Sequence, residues 1–128
     1  MTQTPARPPQ TTGPAPVPLT VFLLLRARPS WLALDRSARE ALAGPALAEA
    51  FGARGIRLRH FDAEAFHGRV SDIAMAEVDG PLAWHCAMER LRDSPLLARD
   101  HFEVVDILPA IEDGFRLYEA AAATLPQT

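Results

Sequence analysis

Val70-Ser71-Asp72-Ile73-Ala74-Met75-Ala76-Glu77-Val78 is followed, after Asp79-Gly80, by Pro81-Leu82-Ala83-Trp84-His85-Cys86-Ala87-Met88-Glu89-Arg90-Leu91. The two stretches carry different hydrophobic periods. In the first, read as a strand, side chains alternate between faces, so Ser71, Ile73, Met75 and Glu77 share one face and Asp72, Ala74 and Ala76 the other. In the second, Trp84, Ala87, Met88 and Leu91 fall at i, i+3, i+4 and i+7, the stripe of an amphipathic helix. Pro81 sits in its first turn, where the missing N–H costs nothing, and Asp79 is its expected N-cap. Ile73 and Met75 are the natural packing partners for Trp84 and Met88. That choice sends Asp72, Ala74 and Ala76 to the far side of the sheet.

On either side of this strand–helix pair the chain offers the same units. Ile56–Phe61 reads as the preceding strand, and Phe102–Leu108, stopped by Pro109, as the following one, after Asp93-Ser94-Pro95 ends the helix. A last short helix is expected over Asp113–Ala122. Near the start, Leu19–Arg26 is apolar on both faces, as in a strand covered on both sides, and Arg28-Pro29-Ser30 breaks it. Asp35 is placed to cap a helix from Arg36, with Ser37-Ala38-Arg39-Glu40 as a competing capping box. Ala38, Ala41, Leu42, Leu47, Ala50 and Phe51 keep one face of it apolar. Gly44-Pro45 predicts a kink or two short helices, and Gly52 and Gly55 mark the end.

The order is therefore β-α-β-β-α-β. Two right-handed crossovers of this kind give an α+β, ferredoxin-like fold with a four-stranded antiparallel sheet and the helices on one face. The other face is left bare. A chain of 128 residues is expected to cover it with a second copy, giving a homodimer in which two sheets face each other as a dimeric α/β barrel.

Composition sets the outer bounds. Hydrophobic residues make up 48% and charged ones 23%, which suits one globular domain with a real core. Six of the 12 prolines lie within residues 1–18, where few large apolar groups offset ordering entropy. The expected organisation is a disordered Pro-rich tail over 1–17, a single domain over 18–122 and a C-terminal tail over 123–128. The net charge of −3 argues against a nucleic-acid partner. Leu19–Leu25 is too short to span a membrane and its flanks do not match a signal peptide, so no membrane partner is expected. The single cysteine, Cys86, cannot close an internal disulfide, which fits a reducing, cytoplasmic compartment. All 13 basic residues are arginine, a bias expected of a GC-rich bacterial genome.

Charge on otherwise apolar strands singles out the candidate site. With Ile56 and Leu58 turned to the helices, Arg57, Arg59 and Phe61 share the opposite face with Asp72, while Asp106 shares a face with Val104 and Leu108. Unpaired buried charge is costly, so Arg57, Arg59, Phe61, Asp72 and Asp106 are expected to line a cavity between the sheets of a dimer and to bind a polar or anionic small molecule. The plainer account is an interface salt bridge from Arg57 or Arg59 to Asp72. His60, Asp62, Glu64 and His67 form a weaker set, suggestive of acid–base chemistry but placed where turn residues cap and solvate. His85 and Cys86 are neighbours on a helix and point about 100° apart, so they form no dyad. Cys86 reads as a small buried group. His101 has no local feature of a haem ligand. No phosphate loop, dinucleotide fingerprint, zinc pattern or nucleophile elbow occurs, so neither a metal nor a cofactor is expected.

Several blocks in order resemble the darcynin family: Leu19–Leu25 with Trp31-Leu32-Ala33-Leu34, Phe61–Phe66, Ser71–Ala74, Leu91–Pro95, Phe102–Ile107 and Pro109–Arg116. The resemblance covers roughly residues 18–118. It implies a small bacterial protein with no general assigned activity, and a fold similar to the dimeric α/β barrels, whose members include haem-binding enzymes, cofactor-free oxygenases, polyketide cyclases and stress proteins. The expected function is a small-molecule-binding dimer, with cofactor-independent tailoring chemistry (oxygenase or cyclase type) as its enzymatic form. A non-catalytic structural or stress-related interaction protein is the alternative, and a haem-binding protein the third.

Overall fold

A computed structural model describes residues 17–124; the tail expected over 1–17 falls almost wholly outside them, as do residues 125–128. The first strand, β1 (Leu19–Ala27), is followed by a single turn, α1 (Pro29–Leu32), and a long helix, α2 (Arg36–Ala50). Strands β2 (Arg57–Asp62) and β3 (Asp72–Val78) form a hairpin. Helix α3 (Pro81–Asp93), a second single turn α4 (Pro95–Ala98), strand β4 (Phe102–Ala110) and helix α5 (Gly114–Thr124) complete the described chain. The sheet has the order β2-β3-β1-β4, and every neighbouring pair is antiparallel. This is the ferredoxin-like α+β fold, with α2 and α3 on one face.

Local chemistry explains most boundaries. Asp35 Oδ1 accepts the Ala38 N–H at 2.8 Å and starts α2 as expected. Gly55 takes a left-handed conformation, φ 69°, that turns the chain from α2 into β2. Of the two outcomes expected at Gly44-Pro45, two short helices are not formed: α2 is one element of 15 residues that runs through Pro45, and packing against α3, α4 and the sheet outweighs the lost hydrogen bond to the Ala41 carbonyl. Two boundary expectations need correction. Asp79 does not cap α3: Gly80 is the cap residue, with no side-chain bond, and Pro81 alone sets the start. Strand β4 continues through Pro109 to Ala110, because it is an edge strand, where a missing N–H can face solvent.

The core lies between the sheet and the helices. Val21 and Leu23 of β1, Ala74, Ala76 and Val78 of β3, Phe51 after α2, and Ala87, Met88 and Leu91 of α3 are all buried. Register fixes the faces: Val21 lies opposite Ala76 and Leu23 opposite Ala74, so these four share one side of the sheet. The side assigned to β3 from its sequence is therefore reversed. Asp72, Ala74 and Ala76 look toward the helices, and Ile73 and Met75 toward the bare face. Volume is the reason. Phe51, Trp84, Met88 and Leu91 project large side chains from the helical layer, and alanines on the strand leave room for them. Cys86 is exposed rather than buried, since the buried stripe of α3 passes through Ala87, Met88 and Leu91.

Candidate functional site

The same economy of volume leaves a cavity. Between the sheet and the α2–α4 side of the helical layer lies a space of about 310 Å³. Its walls are apolar, with Leu23, Leu58 and Ala74 from the sheet and Leu47 from α2 among them. Ala74 and Ala43 are short where leucine would fill the gap. Charged and polar groups in the lining are Arg39, Glu40, His60 and Asp72. An apolar body with a few placed polar groups is the general form of a small-molecule site.

His60 and Asp72 meet across the β2–β3 hairpin. His60 lies opposite Ala74 and Asp62 opposite Asp72, so the imidazole reaches Asp72 diagonally, on the helical side of the sheet. His60 Nε2 lies 2.6 Å from Asp72 Oδ2. Ser71 Oγ donates to the other carboxylate oxygen, Oδ1, at 2.6 Å, and itself accepts the Ala27 N–H at 2.7 Å. An ionised carboxylate only accepts, so Nε2 is the donor of that bond; in the neutral imidazole the lone pair is then on Nδ1. The Asp72 side chain is 23% exposed and that of His60 58% exposed. The carboxylate is thus held at both oxygens, and the imidazole stands between cavity and solvent.

Arg39 is fixed from another direction. Its Nε and Nη2 donate to the Trp31 and Leu32 carbonyls at 3.2 and 3.1 Å, and its guanidinium lies 5.9 Å from the centre of the Trp31 ring. Trp31 in turn packs on Phe102, ring centres 4.8 Å apart. Arg39 forms no ion pair among the described residues, whereas Arg28 binds Asp100 and Glu103, and Arg90 binds Glu49.

The residues expected to form one cavity are divided by the sheet. Asp72 joins His60 at the helical side. Arg57, Arg59 and Phe61 lie on the bare face along β2, each opposite Glu77, Met75 and Ile73 respectively, with Arg59 over the Phe61 ring at 5.2 Å. Asp106 is on that bare face too, but on β4, at the opposite edge, where its Oδ1 accepts the Ile107 N–H. Neither arginine pairs with Asp72. Asp62 Oδ1 accepts the Glu64 N–H, Glu64 is exposed, and His67 Nδ1 accepts the Arg69 and Val70 N–H groups, so these three serve the turn. No group of three or more His, Cys, Asp or Glu capable of holding a metal occurs among the described residues. Arg39, Glu40 and Ser71 were not singled out from sequence. Arg39 and Glu40 line the space and Ser71 holds Asp72 in it, an arrangement that exists only once α1, α2 and the hairpin are brought together.

Comparison with known proteins places the chain in a family. Residues 7–126 match the family model described as darcynin, domain of unknown function. A darcynin from Chromobacterium violaceum is 53% identical over 68 residues, 53% of this chain and 86% of the relative. A darcynin homologue from Streptomyces avermitilis is 35% identical over 100 residues, 77% of this chain and 82% of the relative. Among solved structures, a haem-binding protein from Thermus thermophilus is similar in fold at TM-score 0.66 and 14% identity, over 84% of this chain and 46% of that one. Chlorite dismutase from Candidatus Nitrospira defluvii, in complex with imidazole, matches at TM-score 0.61 and 10% identity, over 73% of this chain and 39% of that one. This chain thus spans less than half the length of either, and at such identity the likeness concerns the fold. No described helix is long and apolar enough to cross a membrane. By its family match and its curated relatives, the chain belongs to the darcynin family.

Proposed function

We propose that this protein binds a compact, mainly apolar organic molecule carrying one polar or anionic group, in the cavity between the sheet and α2. One observation carries the reading: a space of about 310 Å³ with apolar walls and a rim holding Arg39, His60 and Asp72. Arg39 has donors left over after binding two carbonyls and no carboxylate partner among the described residues, so a carboxylate or enolate on the ligand meets a ready partner. The volume is at the small end of ligand pockets and suits a bicyclic ring system. The test is a titration with bicyclic aromatic acids, 1-naphthoate first, followed by calorimetry. Saturable binding is expected, weakened at least about tenfold (~1.4 kcal/mol) in Ala43→Trp, which fills the cavity. It should be unchanged in Phe22→Ser on the opposite face. Absence of saturable binding, or equal binding by Ala43→Trp, refutes the reading.

Haem, the third expectation, is the group named for one fold neighbour. The residues here do not fit it. Among the described residues, His60 is the one lining side chain of the His, Cys, Met or Tyr type, and that side chain is 58% exposed. The space is also at the small end for any ligand, let alone a macrocycle.

The partner reading is a second copy of this chain, seated on the bare face of the sheet. Phe22, Leu24, Ile73 and Met75 are only half-buried there, and Phe61 and Leu108 are exposed. The face also carries opposite charges at its two edges, Arg57 and Arg59 on β2 and Asp106 on β4. A two-fold axis parallel to the strands lays each β2 over the other copy's β4 and matches these charges. An axis in the sheet plane and across the strands would set arginine against arginine.

A further inference from the structure

We propose that His60 is a general base in this cavity, with Asp72 as its positioning residue, and that the bound molecule is a carbon acid: a ketone or related carbonyl compound that the protein enolises. The inference rests on the ligand site above and deepens it. Four features of the structure support it. The imidazole lines the cavity and is also open to solvent, so it can take a proton on one side and exchange it with water on the other. Its Nε2–H is committed to Asp72, which leaves Nδ1 as the basic atom and lets the carboxylate stabilise the imidazolium as it forms. Asp72 is itself locked by Ser71, whose hydroxyl is tied to the β1 backbone, so the base cannot swing freely. Finally, no serine, threonine or cysteine is found among the described residues of the lining. With no hydroxyl or thiol among them to activate, the base meets the ligand itself.

The step balances without a co-reactant. His60 Nδ1 takes the proton from the carbon beside the carbonyl. The C–H electron pair forms the C=C bond, and the carbonyl π pair moves to oxygen, giving an enolate. Arg39, on the same rim, offers N–H donors to that oxygen. Return of a proton from the imidazolium to carbon regenerates the ketone, or a different carbon of the conjugated system accepts it and the double bond moves.

The probe is 2-tetralone, a compact bicyclic ketone, incubated with the full-length protein in D2O while loss of its α-proton signals is followed by NMR. The wild-type protein should accelerate exchange, saturably in tetralone. His60→Gln should lose about 10²-fold or more of that acceleration, and His60→Ala should regain part of it when imidazole is added. Asp72→Asn should lose at least about tenfold, and the slowly exchanging Nε2 proton of His60, visible in the wild type, should disappear. Glu64→Gln, in the exposed turn, serves as the unchanged control. If tetralone binds saturably and His60→Gln exchanges it as fast as the wild type, the catalytic proposal is overturned and the binding site stands. If neither tetralone nor 1-naphthoate binds the wild type, both are overturned.

Discussion

Ser71 is small, neutral and easily passed over, yet its hydroxyl does two things that its neighbours depend on. It accepts the Ala27 N–H and donates to Asp72, tying the β1 end to the rim of the cavity. Ser71→Ala should therefore destabilise the fold by about 1–3 kcal/mol, because a part-buried backbone donor loses its acceptor, and should release the His60–Asp72 bond. Urea denaturation and the His60 imidazole proton signal measure the two effects separately. Asp35 makes a simpler case: Asp35→Ala should cost about 1 kcal/mol through loss of the cap on α2, with no effect on ligand binding. Asp35 was legible in sequence because its partner, Ala38, is three residues away. The His60–Asp72 pair was not. It depends on how the nine residues between β2 and β3 close, and a one-residue slip in register would place the two side chains on opposite faces.

Helix α2 shows how an element overrides its own composition. Gly44-Pro45 reads as an interruption, yet the helix is continuous because its face, Ala43, Ala46, Leu47 and Ala50, is packed on the core. Tertiary burial there exceeds the intrinsic penalty of an internal proline, about 3 kcal/mol. Pro45→Ala should accordingly stabilise the protein, by an amount on the order of 1 kcal/mol and no more than that penalty, in chemical denaturation. An unchanged or lower stability would show that the proline has been accommodated without cost. Helix α5 is the reverse case. A short helix here was legible in sequence, but Phe115 and Tyr118 are exposed and the helix buries no residue against its own chain. The cavity, finally, belongs to no single element. It needs Ala43 of α2, Ala74 of β3 and the α4 turn together, so no periodicity announces it.

For the molecule as a whole, one face of the sheet holds the core and the cavity, and the other is bare; the proposed second copy would be seated there. The charge arrangement makes that second half testable. Arg59→Asp alone and Asp106→Arg alone should each weaken self-association at least about tenfold, ~1.4 kcal/mol. The double variant should restore it, because each exchanged charge again meets its opposite. Sedimentation equilibrium of the four proteins decides. A wild type that sediments as a monomer, or a double variant no better than the singles, removes the sheet-to-sheet dimer with β2 over β4. Ligand binding should survive in all four, since the cavity is on the far side of the sheet.

The amino-acid order alone determined the four strands, the helices between them and the short helix after the last strand, their antiparallel order, the capping of α2 and the family resemblance, but not the single turns α1 and α4. Each of these is written in short-range periods and breaks that the backbone must obey. Which face of β3 meets the helices, and hence that Asp72 parts from Arg57 and Arg59 to join His60, was decided by the tertiary structure. Alternation puts Asp72 and Ile73 on opposite sides but does not say which side is which. That choice falls to volume: large side chains from α3 and the end of α2 need small ones beneath them, and only the assembled layers set that demand.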